Sequence, residues 1–172
     1  MIFKVFKEKS NQKYINRLLN THAKCNKHSK VTSVGVVLNV EEHTDLEHFK
    51  HFFKELNLQE ARTKIVSFAN DPKTSNELWG AFFNAKHIGW KGKILHSELQ
   101  RFVETEFDLL ICFHASYHLE LDLIAASSKA NFKVGISSRD PRLFDLIIDV
   151  DTTQFSLFKQ ELKKYLTVLN KL

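Results

Sequence analysis

Five glycines, two prolines and two cysteines among 172 residues deny several protein classes their raw material. Collagen-like, linker-rich and low-complexity chains need far more glycine and proline. Cys25 and Cys112 are too few for a disulfide framework. Cys112 sits in the apolar run 109–113, where a thiol behaves as a small buried hydrophobe. Apolar runs stop at five or six residues, against the ~20 needed to span a bilayer, so no integral membrane segment is expected. The opening Met1-Ile2-Phe3-Lys4-Val5-Phe6-Lys7 is too short and interrupted for a signal peptide. Reduced cysteines and no leader give a cytoplasmic protein as the expectation. No internal repeat divides the chain.

The glycine-rich turns of nucleotide sites are missing as well. There is no GxGxxG and no GxxxxGK[ST] in the chain. The first expected strand leads into Val40-Glu41-Glu42, with carboxylates where backbone N–H groups would have to approach a phosphate. No cofactor is expected.

What the chain does have is charge in one place. Residues 1–30 carry eight basic side chains against Glu8 alone, net +7, whereas the other 142 residues hold 17 basic and 19 acidic, net −2. A nearly neutral body with a basic segment at its front suggests an anionic partner, nucleic acid or membrane surface. Residues 8–27 read as an amphipathic helix. Lys9, Lys13, Arg17, Asn20, Lys24 and Lys27 fall within about ±40° of one another at helical spacing. Tyr14, Ile15, Leu18, Leu19 and His22 fall opposite, as a face able to dock.

The division that follows is a basic helical segment, 1–30, and an α/β domain, 31–172. In the domain, strands are expected over 31–39, 63–69, 107–113, 132–137 and 144–150. Helices are expected over 41–56, 96–104 and 119–129, with a last helix capped by Thr152 or Thr153. The stretch 73–105 reads as mostly irregular, around Leu78-Trp79, Phe82-Phe83 and Gly89-Trp90-Lys91-Gly92. Apolar strands alternating with helices predict a single three-layer Rossmann-like sandwich, with a mostly parallel sheet of about five strands.

Gly89-Trp90-Lys91-Gly92, Phe107-Asp108-Leu109-Leu110-Ile111, the run from Ile124 to Gly135 and the closing Tyr165-Leu166-Thr167-Val168-Leu169-Asn170-Lys171 resemble a family of small Bacteroidota proteins. That family has no catalytic residues to carry over, and its members tend to begin with a basic helix. The resemblance implies a companion of the large ribosomal subunit, with ribosomal RNA and ribosomal proteins as partners. The strand 107–113, the small-residue helix after it and Lys133-Val134-Gly135 also look like the acceptor half of lipopolysaccharide heptosyltransferase-like glycosyltransferases. Those enzymes use two Rossmann-like domains, and this chain has room for one.

Several constellations invite chemistry. His114, Ser116 and His118, with Asp122 or Asp140, follow a strand at the edge where open α/β sheets place ligands, but no GxSxG elbow accompanies them. His48 and His51, near His43, Glu47 and Glu55, have a spacing that can chelate and equally suit a solvated helix face. Trp90 can stack on a base or plug the sheet edge. The sequence thus favours a non-enzymatic, RNA-binding or ribosome-associated protein that contacts phosphates through Lys9, Lys13, Arg17, Lys24, Lys27 and Lys30. Lys91, Lys93, Arg139 and Arg142 are a second tier. A degenerate glycosyltransferase-like or small-molecule-binding domain is one alternative. A membrane-surface adaptor anchored by Ile2, Phe3, Val5 and Phe6 is the other.

Overall fold

A computed structural model describes residues 2–21, 29–70, 81–136 and 140–172. Lys24, Lys27, Arg139, His22 and Cys25 lie outside the described residues. Along the chain the elements are α1 (Ile2–Thr21), β1 (Val34–Asn39), α2 (Glu47–Glu55), β2 (Thr63–Phe68), β3 (Ala81–Phe83), α3 (Ser97–Glu104), β4 (Leu109–Phe113), α4 (Leu119–Ser127), β5 (Lys133–Gly135), β6 (Leu146–Ile147) and α5 (Phe155–Val168). The strands form one sheet of order β3-β2-β1-β4-β5-β6, and every neighbouring pair is parallel. The expected three-layer α/β fold is therefore what forms, with six strands instead of about five. The additional one, β3, lies in the stretch read as irregular. Three residues at the sheet edge are too few to show a period of two.

The central strands bury both faces, as parallel strands covered by helices must. Val34, Val36 and Leu38 of β1, with Leu109, Ile111 and Phe113 of β4, pack with Phe49, Phe52 and Phe53 of α2 and Phe155, Phe158, Leu162 and Leu166 of α5. Val37, Leu110 and Cys112 point the other way, into a cluster with Leu99 and Phe102 of α3, Leu121 and Ile124 of α4, and Ile15 of α1. Each large side chain so buried contributes about 1.5–3 kcal/mol. Burial raises the Cys112 thiol to about 12, so it stays protonated and inert.

Local chemistry moved several expected boundaries. Asn39 closes a turn after β1: its carbonyl accepts the Glu42 and His43 N–H groups (3.1 and 3.0 Å) and its Oδ1 accepts the Glu41 N–H (3.1 Å). Consequently α2 starts at Glu47, not residue 41. Neither Thr152 nor Thr153 caps α5, whose N-cap is Gln154. Asp151 Oδ1 takes both the N–H and the hydroxyl of Thr153 (2.9 Å each), and that turn holds the threonines outside the helix. At the other end of the sheet, Asp108 Oδ2 accepts four bonds from the N–H and hydroxyl groups of Thr32 and Ser33, tying β4 to the entry of β1.

Helix α1 begins at Ile2 instead of residue 8 and lies against α4 and the 3-10 turn Trp90–Gly92. Its buried face carries Ile15 and Asn11, at 2% and 3% exposure. Asn11 works as a clamp: its Nδ2 donates to the Gly89 carbonyl (3.0 Å) and its Oδ1 accepts the Gly92 N–H (2.9 Å). Gly92 has φ +72, and a Cβ there would stand 2.1 Å from the Tyr14 ring. Only glycine satisfies both demands. The first two turns project beyond this contact. Ile2, Phe3, Val5 and Phe6 are all exposed, Phe3 at 81%.

Candidate functional site

The order β3-β2-β1-β4-β5-β6 reverses direction between β1 and β4, and open α/β sheets take ligands outside the carboxyl ends of such a pair. Here a side chain of the protein holds that position. Glu42, just beyond β1, accepts the N–H groups of Ala115 (2.5 Å) and Ser116 (3.0 Å) beyond β4. It also accepts from the Asn39 amide (2.8 Å). Burial pushes the Glu42 pKa up, but these donors outweigh it and hold the carboxyl below its ordinary value. Successive N–H groups after a parallel strand are where a phosphate would sit; Glu42 supplies the anion internally.

The catalytic constellation does not assemble at that edge. The His114 ring is buried, and its Nδ1 meets the Ser116 carbonyl (3.3 Å) instead of the hydroxyl. Desolvation lowers the His114 pKa, and its Nε2 has no hydrogen-bond partner among the described residues. His118 packs against Phe68 with ring centroids 4.9 Å apart and planes tilted by 44°. The cavity shared by His114, Ser116, Asp122 and Asp140 measures about 20 Å³, room for a water. No group of three or more metal-ligating side chains occurs among the described residues. His43 is nearly buried and stacks on Phe155, while His48 pairs with Asp45 at 3.2 Å.

The cations of α1 are arranged differently. Lys9, Lys13 and Arg17 are exposed along its outer side. Lys13 and Arg17 line an open groove of about 600 Å³ with Tyr14, Asn16, Asn20 and Lys91. The clamp by Asn11 brings Lys91 there from a position remote in sequence, and Lys91 itself adopts φ +53 at the tip of its turn. The Arg17 guanidinium lies over the Tyr14 ring, 5.2 Å from its centroid, which positions it without neutralising it. No ion pair to Lys9, Lys13, Arg17 or Lys91 forms among the described residues.

Three other cations singled out by the sequence go elsewhere. Lys30 donates to Asn170 Oδ1 (3.1 Å) and to the Leu172 carbonyl, off the helix altogether. Arg142 pairs with Asp140 at 2.6 Å and donates to Asn16 and Asn20 of α1 (3.1 and 3.3 Å). Its hydrogen bond to Asp140 is the main reason the aspartate's pKa is lowered. Arg142 thus straps α1 to the body. Lys93 is exposed after the turn, and Trp90 is half exposed on it, so this Trp does not plug the sheet.

On its opposite flank α1 borders a second cavity, of about 460 Å³, shared with Asn70 beyond β2, Ala85 beyond β3 and residues 117–120 at the entry to α4. Tyr117 and Gln12 are not among the residues that the sequence singled out. Nothing in their local pattern places a helix glutamine beside a loop tyrosine 105 positions away, yet the Tyr117 hydroxyl donates to Gln12 Oε1 at 3.2 Å. No helix of the described residues is long and apolar enough to cross a membrane.

No curated protein and no solved structure is significantly similar to this chain. Residues 7–169 match the model of DUF6913, a family of unknown function, and the chain belongs to that family.

Proposed function

We propose that this protein is a non-enzymatic, RNA-binding and ribosome-associated protein that uses its α/β body as a scaffold and holds phosphate groups along α1. The observation that carries this reading is the convergence of Lys13, Arg17 and Lys91 on one open groove, with Lys9 continuing the line on the same helix. Aligned cations without acidic partners track a phosphodiester backbone through counterion release and do not read its sequence. The large ribosomal subunit as the source of that RNA comes from the sequence resemblance. A sheet edge whose ligand position is filled by Glu42 fits a scaffold better than a glycosyltransferase-like or small-molecule site.

The test is co-sedimentation of the full chain with ribosomes and with purified ribosomal RNA across a salt series. Binding should weaken steeply with salt. The triple variant K13E/R17E/K91E should lose at least about a hundredfold in affinity, and its log–log salt slope should fall by about 2–3, at 0.7–0.9 per phosphate contact. Unchanged sedimentation of that variant would sink the proposal.

A membrane-surface reading has its own observation, the exposed Ile2, Phe3, Val5 and Phe6 beside Lys4. It requires the wild-type chain to pellet with anionic vesicles and F3S/F6S to stay in solution.

A further inference from the structure

We propose that the cavity on the second flank of α1 receives an unstacked nucleobase of the bound RNA strand, an inference that rests on the RNA reading above. The cavity is lined by Lys4, Glu8, Lys9 and Gln12 of α1, by Asn70, and by Tyr117, His118 and Glu120 at the start of α4. Its volume of about 460 Å³ falls in the range of small-molecule sites, ~300–1,000 Å³.

The lining selects the occupant. Tyr117 is 44% exposed, and its hydroxyl is held by Gln12, so an aromatic ring stands fixed at the cavity wall. Stacking on such a ring is open to every base. Glu8 and Glu120 bring carboxylates into the same space, which repel a phosphate but accept the ring and exocyclic N–H groups of a heterocycle. Gln12 and Asn70 add amides, the groups that pair with base edges. With Gln12 Oε1 accepting from Tyr117 and Asn70 Nδ2 donating to Glu41 (2.9 Å), the Gln12 Nε2 and the Asn70 Oδ1 are the atoms left for a base. The phosphate is left to the cations of the lining, Lys9 and Lys4, of which Lys4 lies 3.9 Å from Glu8.

Lys9 joins the two flanks. It lines the cavity and lies one helical turn, about 5.4 Å, from Lys13 of the groove. A strand whose phosphates follow Arg17 and Lys13 therefore reaches Lys9 next, and a base turned inward there enters the cavity. A base in a duplex is stacked and paired, so this geometry favours single-stranded or bulged RNA.

The experiment titrates the full chain with a single-stranded oligoribonucleotide of roughly 12 nucleotides and with a blunt duplex of equal length. It compares wild type with Y117A, Y117F and K13E/R17E. Wild type should prefer the single strand by about tenfold, the scale of one stacked base. Y117A should abolish the preference while keeping duplex binding, and Y117F, which retains the ring, should preserve it. A 2-aminopurine in the single strand should change its emission on binding wild type and not on binding Y117A. Equal affinity of wild type for both RNAs, or an unaltered preference in Y117A, overturns the inference and leaves the phosphate groove standing. K13E/R17E should weaken both RNAs alike. Failure of wild type to bind either RNA overturns the RNA reading and this inference with it.

Discussion

The carboxyl edge between β1 and β4 and the outer side of α1 are opposites in one respect. Both present groups suited to an anion, but at the sheet edge the N–H groups of Ala115 and Ser116 are already bonded to Glu42. On α1, Lys9, Lys13 and Arg17 face solvent without acidic partners among the described residues. Fold topology points to the first place, because that is where open α/β sheets bind ligands. Charge satisfaction points to the second. A ligand is attracted by groups whose interactions are incomplete, and an anion site closed by its own carboxylate has nothing to offer. In the proposed function the sheet supplies rigidity and the helix laid on it supplies the surface.

The contrast depends on α1 staying docked, so the largest effect should come from its anchor. Gly92→Ala combines a positive φ with a Cβ 2.1 Å from the Tyr14 ring. Thermal or urea unfolding should show a loss of about 2–4 kcal/mol, and RNA affinity should fall with it because Lys91 leaves the groove. Wild-type affinity in a folded G92A protein would break the link between the turn and the groove.

The body carries one cation of the opposite kind. Lys133 is buried, donates to the Ala125 carbonyl (2.8 Å) near the end of α4, and is depressed by desolvation to about 8. Between that value and its unfolded value near 10.5 the unfolded chain holds a proton that the folded chain has released, so stability rises with pH across this window. Relative to Lys133→Met, the wild type should gain about 3 kcal/mol from pH 8 to 10.5. A constant difference would mean that the folded chain keeps the Lys133 proton across this window, as the unfolded chain does.

Glu42 sharpens the comparison directly. Glu42→Gln should cost about 1–2 kcal/mol, since an amide cannot accept from Ala115, Ser116 and Asn39 as a carboxylate does, while RNA affinity stays within about twofold. Because its folded pKa is lowered, the carboxylate's contribution is complete above its unfolded value and is lost as pH falls through the folded one. Acid unfolding of E42Q should therefore be shallower than that of wild type. A large loss of RNA binding would return function to the sheet edge. The smallest effect is expected at Arg142, a cation that the sequence put in the second tier. Its guanidinium is committed to Asp140, Asn16 and Asn20, and the Asn11 clamp and buried Ile15 hold α1 docked without it, so Arg142→Ala should change RNA affinity less than about twofold, unlike Arg17→Ala.

How legible the fold was varied with element length. The strand at 109–113 and the helix α4 stand out as apolar stretches, and α3 and α5 because apolar residues recur at helical spacing. Strand β3, three residues long, offered no period, and β5 and β6 came out shorter than the apolar runs that announced them. In α1 the cation stripe and the docking face around Ile15 were readable, but the start was not. Ile2, Phe3 and Phe6 point outward, so the apolar pattern changes side within the helix and hides its first two turns.

Local chemistry, written in the order of residues, determined most of the strands and helices, that the sheet would be mostly parallel and covered on both faces, and that positive charge would gather on α1. Which charges are free was decided by tertiary structure alone. Partners such as Glu42 with Ala115, Arg142 with Asn16, Asn11 with Gly92, and Tyr117 with Gln12 are separated by 73, 126, 81 and 105 positions. No periodic signal spans such distances, and an electrostatic site is defined by what its neighbours leave unsatisfied.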